Sequence, residues 1–160
     1  MSTHPPLSLS AQDEKFLELA IDEARTGRAT GGIPIGSVLA LNGEAVGAGH
    51  NQRIQQSSPI LHGEMAALAD AGRLTAAQYQ ASTMYTTLSP CHMCTGAILL
   101  YGIPRVVVGE HRTFMGAEDL LRSHGVEVVV VDSAECIGLM ESFIADEPAL
   151  WFEDIGELDD

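Results

Sequence analysis

The sequence predicts an α/β fold, a three-layer α/β/α sandwich with a central mixed, mostly five-stranded sheet. Helix-period and strand-like segments alternate along the whole chain, with no internal repeat and no low-complexity stretch. The runs Val106-Val107-Val108 and Val128-Val129-Val130-Val131 suit strands covered on both faces, with helices between them. A chain of 160 residues, 46% hydrophobic and 19% charged, is long enough for one domain with a buried core.

Residues 1–9 read as a flexible N-terminus and 10–158 as a single domain. From Ser10, a candidate N-cap, Phe16, Leu17, Ala20, Ile21 and Ala24 recur at helical spacing, and Gly27 ends the helix. Gly31-Gly32-Ile33-Pro34-Ile35-Gly36 reads as a turn entering a strand over 35–41, and Asn42-Gly43 turns the chain into a second strand over 45–49. These glycines do not make a phosphate loop, because no Gly-Lys-Ser/Thr and no helix follow directly. Residues 60–71 form an alanine-rich helix with Met65, Leu68 and Ala69 on one face and His62 and Glu64 in its first turn. A strand over 82–88 leads to a helix that begins at Cys91 and runs to Tyr101. Then come a strand over 105–109, a helix near 117–123 and a strand over 127–131. Helices over 133–145 and 148–154 and a solvated tail, 157–160, finish the chain. Cys136, in step with Leu139, Met140 and Phe143, is a buried apolar residue of the first of these helices.

Two short motifs carry the chemistry, His62-Gly63-Glu64 and Pro90-Cys91-His92-Met93-Cys94. His62, Cys91 and Cys94 can give one imidazole nitrogen and two thiolates to a tetrahedral Zn²⁺, and three protein ligands leave the fourth position open for water. Glu64, two residues after the histidine, can reach that water without ligating the metal, which suits general acid/base work. A lone C-x-x-C also fits a redox pair or half of a structural zinc site. The four-cysteine structural reading fails because the only other cysteine is Cys136, and a redox pair gives no reason for His-Gly-Glu 29 positions upstream. Cys91 and Cys94 open a helix, whose partly positive N-terminus favours thiolates.

The formal net charge is -14, with only eight Lys and Arg, and the arginines at 25, 28, 53, 73, 105, 112 and 122 stand singly. Nucleic-acid binders need basic surface to displace phosphate counterions, so a small uncharged substrate is expected and no nucleic-acid partner. There is no 18-residue apolar run and no basic leader before an apolar segment, so no membrane association and a cytoplasmic location are expected. Three cysteines, two of them claimed by metal, fit a reducing compartment.

H-x-E followed by P-C-x-x-C is the signature of the zinc base deaminases, and here the resemblance extends further. Gly32-Ile33-Pro34-Ile35-Gly36, Gly49-His50-Asn51, Leu61-His62-Gly63-Glu64, Tyr85-Thr86-Thr87 and Leu88-Ser89-Pro90-Cys91 resemble the fungal-type cytosine deaminases. So do Cys94-Thr95-Gly96-Ala97-Ile98, Tyr101-Gly102-Ile103-Pro104-Arg105 and the ending Trp151-Phe152-Glu153-Asp154-Ile155-Gly156-Glu157, the most selective of these segments. The match spans nearly the whole chain. It departs at His92, where those enzymes tend to carry Asp, at His111-Arg112-Thr113, and in a one-residue deletion between Phe114 and Gly125.

The resemblance implies a cytidine deaminase-like fold and a cytoplasmic homodimer with one zinc per subunit, converting cytosine to uracil and ammonia in pyrimidine salvage. It implies that Asn51 hydrogen-bonds the ring carbonyl and the neighbouring N–H, that the Gly63 backbone N–H reaches the same carbonyl, and that Asp154 accepts from the exocyclic amine. Phe114 and Trp151 would cover the ring faces and Ile33 would pack at the pocket wall. His92 reads as a solvent-facing helix residue, and His50 and His111 as structural histidines. Deamination of another small ring, such as creatinine, isocytosine or guanine, is the alternative. A tRNA adenosine deaminase fits the acidic charge less well, and a non-enzymatic zinc domain would leave Glu64 without a purpose.

Overall fold

Ser10 opens the first helix as the sequence predicts, its Oγ accepting the Asp13 backbone N–H at 3.1 Å, and α1 runs over Ala11–Ala29. The computed structural model describes residues 9–158. Leu9, read as part of a flexible stretch, is half-buried against the α1 side of the core; the rest of that stretch lies outside the described residues, as do residues 159 and 160 of the tail.

Five strands form one sheet in the order β2-β1-β3-β4-β5: β1 Gly36–Leu41, β2 Glu44–His50, β3 Ser82–Leu88, β4 Arg105–Glu110 and β5 Glu127–Val130. β1 pairs antiparallel with β2 and β3, while β3, β4 and β5 run parallel, so the sheet is mixed. Asn42 and Gly43 both adopt positive φ, 52° and 78°, as the tight β1–β2 hairpin requires. α1 and α6 (Ala134–Asp146) cover one face around Phe16, Val38, Tyr85, Val107 and Cys136. α2 (Gly63–Ala71), α4 (His92–Tyr101) and α5 (Glu118–Ser123) cover the other, around Leu39, Met84, Ile98, Val106 and Leu121.

Several expectations are corrected. Gly27 does not stop α1; it lies inside the helix where the His50 ring and the Ile33 carbonyl approach, and the cap falls at Thr30. The buried face of α2 is Gly63, Glu64, Ala66 and Ala67, whereas Met65 and Leu68 are half-buried and Ala69 is exposed. The cause lies in β2. Any side chain at Gly47 or Gly49 would strike the α2 backbone, so the helix docks through its smallest residues. The Val128–Val131 run does contact both helical layers, but Val128–Val130 belong to the edge strand β5, Val131 lies just past it, and all four are only half-buried. One helix escapes the periodicity: α3 (Ala76–Gln80), a single short turn with no buried residue, stabilised by a Thr75–Gln78 capping box.

At the C-terminal end of parallel β3, antiparallel β1 begins beside it, with the Gly36 N–H bonded to Thr87 Oγ1. The N-termini of α2 and α4 open at this same end, where the direction of the sheet changes, which is where open α/β sheets place their ligands. α7 (Pro148–Asp154) folds over it, with Trp151 buried against Ile33, Ile35 and Leu88.

Candidate active site

His62 is the N-cap of α2 and Cys91 the N-cap of α4, and neither side chain caps its own helix. Positions that favour Ser, Thr, Asp or Asn are given instead to residues whose side chains face each other across the two helix ends. His62 Nδ1 lies 3.4 Å from Cys91 Sγ and 3.7 Å from Cys94 Sγ, and the three ligand atoms fall within 4.8 Å of one another. Tetrahedral zinc bonds of about 2.3 Å to sulfur and about 2.05 Å to nitrogen put those atoms about 3.6 Å apart. The donor set therefore fits zinc in number, type and spacing.

The protons on this cluster are already polarised. The hydrogen bond from Cys94 and the His62 imidazole hold the Cys91 thiol down at about 4, whereas sharing that bond and burial push the Cys94 thiol up. Burial works against charge on His62, but Cys91, Asp154 and Glu64 outweigh it and raise the imidazole to about 9.

A small cavity opens beside the cluster, lined by His62, Glu64, Cys91 and Asp154, by the Phe114 and Trp151 rings, and by Ile35 and Leu88. Glu64, buried in the first turn of α2, accepts at Oε1 from the Thr86 hydroxyl at 2.6 Å. Asp154 Oδ1 stands 3.5 Å from His62 Nε2 and accepts from Asn51 Nδ2 at 3.1 Å. Burial raises the Asp154 carboxyl, and His62, Asn51 and Arg53 act in the opposite sense.

Of the residues singled out in the sequence, His62, Glu64, Cys91, Phe114, Trp151 and Asp154 come together on the cavity wall. Asn51 is wholly buried behind Asp154, and Gly63 opens α2 with a backbone N–H that has no acceptor within its helix. Ile33 lies in the apolar cluster below; Ile35, two residues on, lines the cavity in its place. Phe114 and Trp151 meet edge to face, 6.0 Å apart at 88°. Only one of two perpendicular rings can lie flat on a planar ligand, so the other meets the rim. His92 is exposed, His50 pairs with Glu23 at 2.8 Å, and His111 pairs with Glu118 at 3.1 Å.

Sequence reasoning missed Arg53 and Thr86. Arg53 grips both carboxylate oxygens of Glu153, reaches Asp154 Oδ1 at 3.4 Å and donates to the Pro59 carbonyl at 3.0 Å. Its placement two residues after Asn51 was the available signal. Thr86 reads as an ordinary β-former in a strand, and the resemblance of Tyr85-Thr86-Thr87 gives it no role.

The sequence model described as the cytidine and deoxycytidylate deaminase zinc-binding region matches residues 10–110. The chain is 55% identical to a cytosine deaminase from Candida albicans over 150 residues, 93% of this chain and all of the relative. It is 35% identical to a tRNA-specific adenosine deaminase from Bacillus subtilis, over 82% of this chain and 88% of that one. Among solved structures, one from a study of tRNA:A34 deaminases superposes with a TM-score of 0.69 at 28% identity, covering 79% of this chain and 99% of the other. A guanine deaminase from Nitrosomonas europaea shares the fold, with a TM-score of 0.70 at 19% identity and 89% of each chain covered. Together with the three-ligand cluster, these likenesses establish that the chain belongs to the zinc-dependent cytidine and deoxycytidylate deaminase family, on the branch of the fungal cytosine deaminases.

Proposed function

We propose that the chain catalyses the hydrolytic deamination of free cytosine, taking cytosine and water to uracil and ammonia. The observation that carries this reading is the convergence of Glu64, Asp154 and the three-ligand cluster on one small cavity. The cavity is small, and its walls of aromatic ring and carboxylate suit a single flat ring bearing polar groups. The cytosine deaminase relative supplies the substrate in this reading.

His62, Cys91 and Cys94 would hold the zinc, which would supply a water that ionises near pH 7 rather than at about 15.7. Glu64 takes the proton and delivers it to the ring nitrogen beside C4, which makes that carbon electrophilic. After attack at C4, Glu64 relays a second proton to the amine, which leaves as ammonia. Asp154 accepts from the exocyclic amine. Asn51 and the Gly63 N–H hold the ring carbonyl, and Phe114 and Trp151 exclude water.

The acidic surface supports a small substrate over tRNA. Arg25, Arg28, Arg53, Arg105, Arg112 and Arg122 each pair with a carboxylate, which leaves little free positive charge for phosphates. A homodimer with one zinc per subunit completes the reading, supported by the exposed Leu100 and Tyr101 at the end of α4. The reaction belongs to pyrimidine salvage in the cytoplasm. No helix among the described residues is long and apolar enough to cross a membrane.

Glu64→Gln tests the assignment of the shuttle. The variant keeps one zinc per chain and loses about 10² to 10⁴-fold in turnover; retention of most activity would overturn it.

A further inference from the structure

Two hydroxyls on neighbouring strands are buried face to face beneath α2. Ser37 on β1 and Thr86 on β3 are both wholly inaccessible, flanked in sequence by Val38 and Tyr85, and they stand opposite each other in the antiparallel register. Ser37 Oγ donates to Thr86 Oγ1 at 3.0 Å, and Thr86 Oγ1 donates to Glu64 Oε1 at 2.6 Å. A threonine hydroxyl has one proton. The Leu88 carbonyl is a second acceptor but lies at 3.3 Å, while the 2.6 Å contact has the length of an O–H···O⁻ bond to a carboxylate. The proton of Thr86 therefore belongs to Glu64, and Ser37 fills the lone pair left on Thr86.

We propose that Thr86, oriented by Ser37, is a positioning residue that pins one oxygen of Glu64 to the sheet and leaves the other as the oxygen that moves protons. The inference rests on the reading of Glu64 as the shuttle. Three features support it. The hydroxyl hydrogen bond that Glu64 receives from the sheet falls on Oε1. The first residue of α2 is packed onto the same spot, since a Cβ at Gly63 would come within 3.1 Å of Ser37 Oγ. The anchor also comes from rigid strands rather than a loop, so it fixes a three-torsion side chain against a frame that does not move with the ligand. Buried hydroxyls that served only the fold would be satisfied by nearby backbone; these two are aligned toward one carboxylate.

The test is kinetic, on full-length zinc-loaded enzyme. Thr86→Val keeps the shape and removes the donor, and about a 10- to 100-fold fall in kcat is expected, with KM within about threefold and zinc content unchanged. Thr86→Ser keeps the hydroxyl but loses a buried methyl, so its kcat returns to within about threefold of the parent although its Tm falls. A purely structural role would order these variants by Tm instead. Ser37→Ala, which leaves Thr86 in place, serves if Thr86→Val does not fold, and it lowers kcat about 3- to 10-fold. In a Glu64→Gln background, Thr86→Val adds no further loss in single-turnover assays. The inference is overturned if Thr86→Val keeps the parental kcat, if Thr86→Ser is as impaired as Thr86→Val, or if Ser37→Ala is silent in place of an unfolded Thr86→Val. An undiminished loss in the Glu64→Gln background also overturns it. If Glu64→Gln itself stays active, the shuttle reading fails; if Glu64→Gln is inactive and Thr86→Val is not, only the anchor fails.

Discussion

Asn51 and Asp154 lie 103 residues apart in sequence and meet just behind the cavity wall, Asn51 Nδ2 donating to Asp154 Oδ1 at 3.1 Å. The same asparagine accepts the Arg53 backbone N–H at Oδ1, at 3.1 Å. Each polar atom of the amide thus has one partner in the protein, leaving one N–H and one lone pair for a ligand. Asn51→Ala removes both and leaves Asp154 aimed less well. About a 100-fold drop in kcat/KM is expected, together with about 1 kcal/mol of lost stability. Steady-state kinetics and a denaturant titration check it; a stability loss with unchanged kinetics would reduce Asn51 to a structural role.

Arg53 ties the loop after β2 to α7 through Glu153 and Asp154. Glu153 is well exposed, so this pair contributes little to global stability, about 0–1 kcal/mol. Its effect is local. Arg53→Ala should raise KM about tenfold and speed amide exchange across α7, while Tm moves by only a few degrees. Unchanged exchange in α7 would mean that Trp151 alone holds the helix down.

Zinc uptake should release protons in a number fixed by the ligands. His62 keeps its proton up to about 9 and Cys94 holds its thiol proton above the ordinary range, while Cys91, at about 4, is already a thiolate. At pH 6 about two protons leave per zinc bound, so affinity falls about 100-fold for each unit that pH drops in that region. Calorimetry in two buffers of different ionisation enthalpy counts the protons. Release near three would contradict the thiolate–imidazolium pairing, because unpaired ligands at pH 6 hold about two thiol protons and most of an imidazolium proton.

Away from the site, Arg105 forks onto both oxygens of Asp13 at 2.8 and 2.7 Å, and the Tyr85 hydroxyl donates to Asp13 at 2.6 Å. Arg105 leads the causes that hold the Asp13 carboxyl below its ordinary value. A depressed carboxyl contributes stability that is fully present above its unfolded value, about 3.9, and is lost as pH falls through the folded one. Asp13→Asn should cost about 2 kcal/mol at pH 7 and progressively less below pH 4. A cost that stays constant with pH would mean packing, not charge, is at stake.

The zinc cluster was legible because ligand chemistry restricts residue type and spacing so tightly that two short motifs suffice. The sheet was legible because β4 and β5 carry valine runs and the β1–β2 hairpin an Asn-Gly turn. Burial of α2 was not, because its face is chosen by two glycines on another element, Gly47 and Gly49. α3 was invisible for the opposite reason: with nothing buried, it has no periodicity to read. Thr86 shows the deepest limit. Its hydroxyl is significant only because Glu64, 22 positions away, is brought onto it by the docking of α2 on β1 and β3.

The most direct test of the account is ammonia release by the zinc-loaded protein from cytosine, 5-methylcytosine, isocytosine, creatinine, guanine, adenine and cytidine, assayed side by side. Preferred release from cytosine is expected, with cytidine inert because a small cavity lined by Phe114 and Trp151 suits a free base. Preference for cytidine or for another ring would contradict that expectation, and no release from any of them would reopen the tRNA and the non-enzymatic readings.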